Sequence, residues 1–200
     1  MKCFALLLVL AAPAFAQGIF AGQTDVGAPA QAGSARFDPV QKIYEVTGGG
    51  ANIWGAADAF HFVWKKISGD MDLTAKLRFE GAGKVAHRKA GLLVRQTIEA
   101  GSPWAGVMLH GDGLTSLQYR ETAGGLTREV RAAVSAPVTI RLLRKGDTFT
   151  FYAAREGEPL TEAGSMKVAL SDPVYAGLGV CSHDDTVTEK AVFSEVRWSR

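Results

Sequence analysis

Apolar and polar residues alternate with a period of two along most of the chain. Met71, Leu73, Ala75, Leu77 and Phe79 alternate with Asp72, Thr74, Lys76, Arg78 and Glu80. Side chains of a strand point to opposite faces in turn, so this pattern predicts a half-buried β-strand. Phe60, Phe62 and Trp64 alternate with His61, Val63 and Lys65, predicting a second strand. Ser68-Gly69-Asp70 between the two predicts a hairpin turn. Further strands are predicted over 90–96, 104–110, 114–120, 126–132, 138–144, 148–154, 166–170, 175–183 and 191–198, with Gly, Asp, Ser or Pro at most of the breaks. No stretch sustains a helical period, and 23 glycines serve many tight turns. About a dozen strands at this spacing predict an all-β, two-sheet antiparallel sandwich of the jelly-roll kind.

The first residues break the pattern. Met1-Lys2-Cys3 precedes an apolar run from Phe4 to Ala12, and Ala14-Phe15-Ala16 supplies a small-x-small exit. Residues 1–16 therefore read as a secretory signal peptide, cut before Gln17, and 17–200 as a single domain in a secreted or periplasmic bacterial protein. The apolar run is shorter than the roughly 20 residues of a membrane span. Loss of the leader removes Cys3, so Cys181 has no intramolecular disulfide partner and is expected to be a small buried residue. The formal net charge is only +2, which argues against nucleic acid or an anionic membrane as the main partner.

Strand parity turns this pattern into a candidate surface. With Gly111-Asp112-Gly113 as a hairpin loop, His110 lies opposite Leu114, Met108 opposite Ser116, Gly106 opposite Gln118 and Trp104 opposite Arg120. Ala105, Val107, Leu109, Leu117 and Tyr119 then make the better core face, leaving Trp104, His110, Gln118 and Arg120 outward. The same test turns Arg95 outward beside Leu92 and Val94, and Tyr175 and His183 outward beside Leu178 and Val180. For the strand of Phe60, Phe62 and Trp64 it turns out His61, Val63 and Lys65. The collected set has no carboxylate, and Gly106, Gly177 and Gly179 would let a ligand lie close to the backbone.

Several segments resemble a family of secreted bacterial domains: Ala51-Asn52-Ile53-Trp54-Gly55, Asp58-Ala59-Phe60-His61-Phe62-Val63-Trp64, Ser68-Gly69-Asp70, His87-Arg88-Lys89-Ala90-Gly91, His110-Gly111-Asp112-Gly113 and Gly179-Val180-Cys181-Ser182-His183. That family is assigned to the concanavalin A-like lectin/glucanase superfamily, and its members often occur beside TolB-type β-propellers. The resemblance implies a concanavalin A-like jelly roll and a sugar bound across an outer sheet, but no catalytic residues. No propeller sequence accompanies this chain, so no propeller-dependent role is carried over. A flat tryptophan with planar polar side chains suits a sugar: the ring covers the C–H face while Arg, Gln and His bond to hydroxyls. The expectation is thus an exported, non-catalytic carbohydrate-binding module with Arg95, Trp104, His110, Gln118, Arg120, His183, His61, Lys65 and Tyr175 as ligand-binding residues. A polysaccharide-active enzyme on the same face and a structural envelope protein are the alternatives.

Glycoside hydrolysis needs two carboxylates flanking the bond, and the Glu-x-Asp-x-x-Glu pattern of jelly-roll glucanases does not occur here. A polysaccharide lyase fits the residue types better, since Arg, Gln, His and Tyr can neutralise a uronate and move its proton without paired acids. No cofactor is expected. A structural calcium ion would draw on Asp25, Asp58, Asp112, Asp184 or Asp185, although Asp in a turn ordinarily caps it. His61, His87, His110 and His183 show no zinc spacing. The loop 81–89 is expected to form a mobile basic rim, Trp54 to pack, and Asp58 to cap a turn.

Overall fold

The computed structural model describes residues 18–200; the leader read over 1–16 lies outside them. Fifteen strands run in order: β1 (Gly22–Val26), β2 (Ser34–Asp38), β3 (Ile43–Gly48), β4 (Asn52–Trp54), β5 (Ala57–Ile67), β6 (Met71–Glu80), β7 (Lys89–Arg95), β8 (Trp104–His110), β9 (Thr115–Arg120), β10 (Arg128–Arg131), β11 (Thr139–Lys145), β12 (Thr148–Ala154), β13 (Thr161–Lys167), β14 (Val174–Cys181) and β15 (Glu189–Ser199). One sheet has the order β1-β5-β14-β7-β8-β9-β10, with β4 also paired to β5. The other runs β13-β12-β11-β6-β15-β3-β2. Both are antiparallel, which makes the two-sheet sandwich that the alternating pattern predicts.

The sheets face each other through one apolar layer. Leu92, Val107, Leu117 and Leu178 from the first sheet meet Leu73, Leu77, Phe149, Phe151 and Phe193 from the second. Each such side chain contributes about 1.5–3 kcal/mol when removed from water. The β8–β9 register pairs Trp104 with Arg120, Gly106 with Gln118 and Met108 with Ser116, as the hairpin loop predicts. Gly113 closes that loop at φ 89°, a left-handed conformation that strains other residues.

Two local expectations are corrected. Ser68-Gly69-Asp70 is not a hairpin: β5 and β6 lie in different sheets, and the turn, with Gly69 at φ 82°, is a corner between them. Parity in β5 is also reversed. Val63 and Ile67 enter the inter-sheet layer, whereas Phe60 and Phe62 face the other side with Trp64 against them. That outer side can accept aromatics because it carries an apolar cluster of its own, in which Val26, Ile53, Phe60, Phe62, Leu93, Trp104, Met108 and Cys181 are all buried.

Candidate functional site

The outer face of the first sheet is divided between a closed half and an open one. The closed half is built on Asp58. Its Oδ2 accepts hydrogen bonds from Arg95 Nη1 at 2.7 Å and Arg120 Nη1 at 2.8 Å, and its Oδ1 accepts one from Arg120 Nη2 at 2.8 Å. All three side chains are fully buried. Two guanidinium groups against one carboxylate leave an excess positive charge, and backbone carbonyl dipoles offset it. Arg120 also donates to the carbonyls of Gly55, Ala100, Ser102 and Gly125, and Arg95 to that of Glu99. These bonds draw segments 55–58, 97–102 and 125–127 together over Trp104, which is wholly enclosed.

The expected solvent-facing platform is therefore corrected for Arg95, Trp104 and Arg120. Parity places them on the outer side of their sheet, but a cap covers that side and no ligand reaches them. Asp58 is the anchor of this cap, not a turn cap, and is unavailable to calcium. The three glycines are also explained without a ligand. A Cβ at Gly177 would lie 1.8 Å from the Val63 carbonyl oxygen, one at Gly106 2.6 Å from that of Leu92, and one at Gly179 2.6 Å from Leu93 Cδ1. The protein itself occupies that space.

His61 and Lys65 point to the inter-sheet side, following the reversed parity of β5. His61 Nδ1 faces Asp25 Oδ1 at 2.7 Å and its Nε2 faces Gln23 Oε1 at 3.0 Å, two acceptors of which the neutral ring can donate to one. The same Gln23 oxygen accepts the Ala35 amide at 2.6 Å, which links the sheets at their edge. Burial pushes the His61 pKa down more than the Asp25 interaction raises it. Lys65 lies over the Trp198 ring, 4.7 Å from its centroid. Tyr175 is on the outer side but at the Arg95 end of β14, against Trp64. Cys181 is six residues further along that strand, so Tyr175 sits about 20 Å from the open half.

The open half is a pocket of about 200 Å³. Its floor combines Lys89 of β7, His110 of β8 and Gln118 of β9, neighbours because Lys89 pairs with His110 across the ladder. Asn52 and Trp54 of β4 form one wall. His87 and His183, from the loops before β7 and after β14, form a second, and Glu129 and Arg131 of the edge strand β10 a third. The His87 ring lies 5.7 Å from that of His110 and 5.8 Å from that of His183. His183 holds φ at 57°, an uncommon backbone state for a residue other than glycine.

The electrostatics follow from burial. His110 Nδ1 faces the Leu114 carbonyl at 3.0 Å, so that nitrogen carries the proton and Nε2 is left as an acceptor. Burial is the main cause that lowers its pKa to about 4, so the ring is neutral near pH 7. Gln118 turns its Nε2 toward Ser116 Oγ at 3.1 Å and His110 Nε2 at 3.4 Å. That orientation leaves Gln118 Oε1 with no partner, although the residue is only 1% exposed. His183 Nδ1 is likewise buried and unpartnered.

Lys89 donates to Asn52 Oδ1 and to the Ile53 carbonyl, and sits 5.7 Å from the centroid of Trp54. Burial pulls its pKa from 10.5 to about 8. Glu129 receives Arg131 Nε at 2.6 Å. Burial works against its charge, but bonds from Arg131 and Ser116 prevail and hold its pKa below the usual carboxylate value. The outer face is thus not free of carboxylates, as parity alone had suggested. No three His, Cys, Asp or Glu side chains among the described residues are arranged to share a metal ion.

Of the residues expected at the site, the pocket gathers His110, Gln118 and His183. The sequence reasoning missed Asn52, Trp54, His87, Lys89, Glu129 and Arg131. Lys89 had a signal: it is six positions before Arg95 and so shares its face, but the predicted strand began one residue too late. The basic rim expected of loop 81–89 is corrected at its end. Arg88 is buried against Glu189 at 2.6 Å, and Lys89 is inside the sheet.

No protein-family model matches the chain, and no curated protein matches it in sequence. Solved structures share its fold. It is similar to a functionally unknown protein from Saccharomyces cerevisiae, with TM-score 0.63 and 14% identity over 83% of this chain and 91% of that one. It is similar to carbohydrate binding module CBM66 from Bacillus subtilis, with TM-score 0.58 and 14% identity over 91% and 98%. It is also similar to the GH43 protein BlXynB from Bacillus licheniformis, with TM-score 0.59 and 15% identity over 78% of this chain and 32% of that one. At such identities the likeness is one of fold.

Proposed function

We propose that the protein is an exported carbohydrate-binding module of the concanavalin A-like kind, and that its sugar enters the pocket between β4, the His183 loop and β10. One observation carries this reading: Gln118 lines the pocket, and its Oε1 has no partner in a side chain almost wholly removed from water. An orphaned buried acceptor costs about 1–3 kcal/mol, and a ligand hydroxyl would satisfy it. Trp54 on the adjacent wall offers an aromatic face for the C–H side of a sugar ring. The likeness to a carbohydrate binding module and to a GH43 protein supports the same class of ligand.

Glycan-array screening followed by calorimetry tests this. Trp54→Ala and Gln118→Ala should each weaken binding of the selected sugar by roughly tenfold. Unchanged affinity in both variants would remove the pocket from the reading. Export is tested separately: residues 1–16 are proposed to be the leader, so the protein recovered from the periplasm or medium of a bacterial host should begin at Gln17.

A polysaccharide-active enzyme is the second reading. Lys89 favours it, because an amine held at about 8 can exchange a proton near neutral pH. Paired-acid hydrolysis has less support, since Glu129 is the one carboxylate on the pocket walls and it is bound to Arg131. Incubation with uronate polymers, followed by the ultraviolet absorbance of unsaturated products, separates a lyase from a binding module.

A further inference from the structure

We infer that the pocket is built for an acidic sugar, whose carboxylate sits on Lys89 while a neighbouring hydroxyl donates to Gln118 Oε1. This rests on the sugar-binding reading and names the class of sugar.

A buried ammonium group is ordinarily paired with a carboxylate. Arg95 and Arg120 have Asp58, and Arg88 has Glu189. Lys89 is only 3% exposed, yet its acceptors are the neutral oxygens of Asn52 and Ile53, and no carboxylate among the described residues forms an ion pair with it. Two of its three N–H bonds are used, which leaves one for a ligand.

The other charged groups nearby do not replace that partner. Glu129 is engaged by Arg131 at 2.6 Å. Asp58 is consumed by the two arginines of the cap. Cys181, which pairs with Lys89 across the ladder, is held as a neutral thiol by burial, its pKa pushed up to about 11. His110 is neutral near pH 7, and His183 is displaced downward, first by burial and then by Lys89 and His87. The lining therefore keeps an uncompensated positive charge on Lys89 beside the unpartnered acceptor of Gln118, with the unpartnered Nδ1 of His183 on the adjacent wall. A uronate at the non-reducing end of a chain offers the two complements, the carboxylate on C5 and the free hydroxyl on C4, on adjacent carbons of one ring. A neutral hexose leaves the charge unpaired, and a simple carboxylate leaves Gln118 unpaired.

Calorimetry with oligogalacturonate, oligoglucuronate and oligomannuronate, each against its methyl ester, tests this on the intact protein. At least one free acid should bind about tenfold or more tightly than its ester. Lys89→Met should erase the difference while the ester still binds, and Lys89→Arg, which keeps the charge, should retain it. The preference should also fade as pH rises through about 8, where Lys89 loses its proton. Equal binding of acid and ester overturns the acidic-sugar inference but leaves the sugar pocket standing. Binding of neutral glycans without any uronate does the same. Acetate competing as well as the uronate overturns the sugar reading and leaves an anion pocket. Binding of none overturns both.

Discussion

Arg120 and Asp58, 62 positions apart in the chain, meet in a bidentate pair with both contacts at 2.8 Å and neither side chain exposed. The pair ties the start of β5 to the end of β9. With Arg95 as third member it holds the cap that closes half of the outer sheet and so bounds the pocket in the other half.

Removing the shared carboxylate would leave two guanidinium groups buried against neutral carbonyl and hydroxyl oxygens. Asp58→Ala should destabilise the fold by about 3–5 kcal/mol, read as a lower midpoint in urea. An effect below about 1 kcal/mol would mean that the cap opens readily to water.

Trp104→Ala should also be severe, by about 3–5 kcal/mol, because the ring fills the layer under the cap beside Phe60, Phe62 and Met108. An exposed tryptophan would show little change. Intrinsic fluorescence of the folded protein checks the same point, since Trp104 should resist a soluble quencher.

Acid should weaken the protein through its neutral histidines. The folded-state pKa of His110 lies at about 4 against 6.5 for the free side chain, so the unfolded chain binds the proton first as pH falls. The stability contributed by neutral His110 is full above pH 6.5 and is lost on the way down to about 4. It amounts to at most about 3 kcal/mol. His61 acts in the same direction. The variant His110→Gln should flatten the stability profile over that range; an unchanged slope would count against burial as the cause.

Lys89 acts at the alkaline end. Its folded pKa of about 8 lies below the free value of 10.5, so the unfolded chain holds the extra proton between these values and stability rises with pH across them. Cys181 opposes this, because its raised pKa makes stability fall as pH climbs from 9 toward 11. Comparison with Lys89→Met therefore isolates the lysine: the wild-type protein should gain on the variant from about pH 8 to 10, by up to about 3 kcal/mol.

Much of this was legible in local pattern. Period-two alternation predicted strands and two sheets, and the Gly111–Gly113 loop predicted the β8–β9 register residue by residue. The burial of Cys181 was likewise readable, from its place in an apolar, glycine-rich strand. Glu129 was harder to find. Its place beside Gln118 depends on how the seven residues between β9 and β10 return the chain, and their composition does not encode that path.

By itself the sequence determined which residues share a side of each strand, because alternation is a property of neighbouring backbone units. What covers a side was decided only by tertiary structure. β5 carries apolar residues at both parities, so its pattern could not choose between Phe60 and Val63 for the inter-sheet layer. Trp104, Arg95 and Arg120 read as a surface until Asp58, drawn in from far along the chain, closed over them. That closure is tertiary by nature, since a charge network between residues 37 and 62 positions apart forms only once the sheet has brought them together.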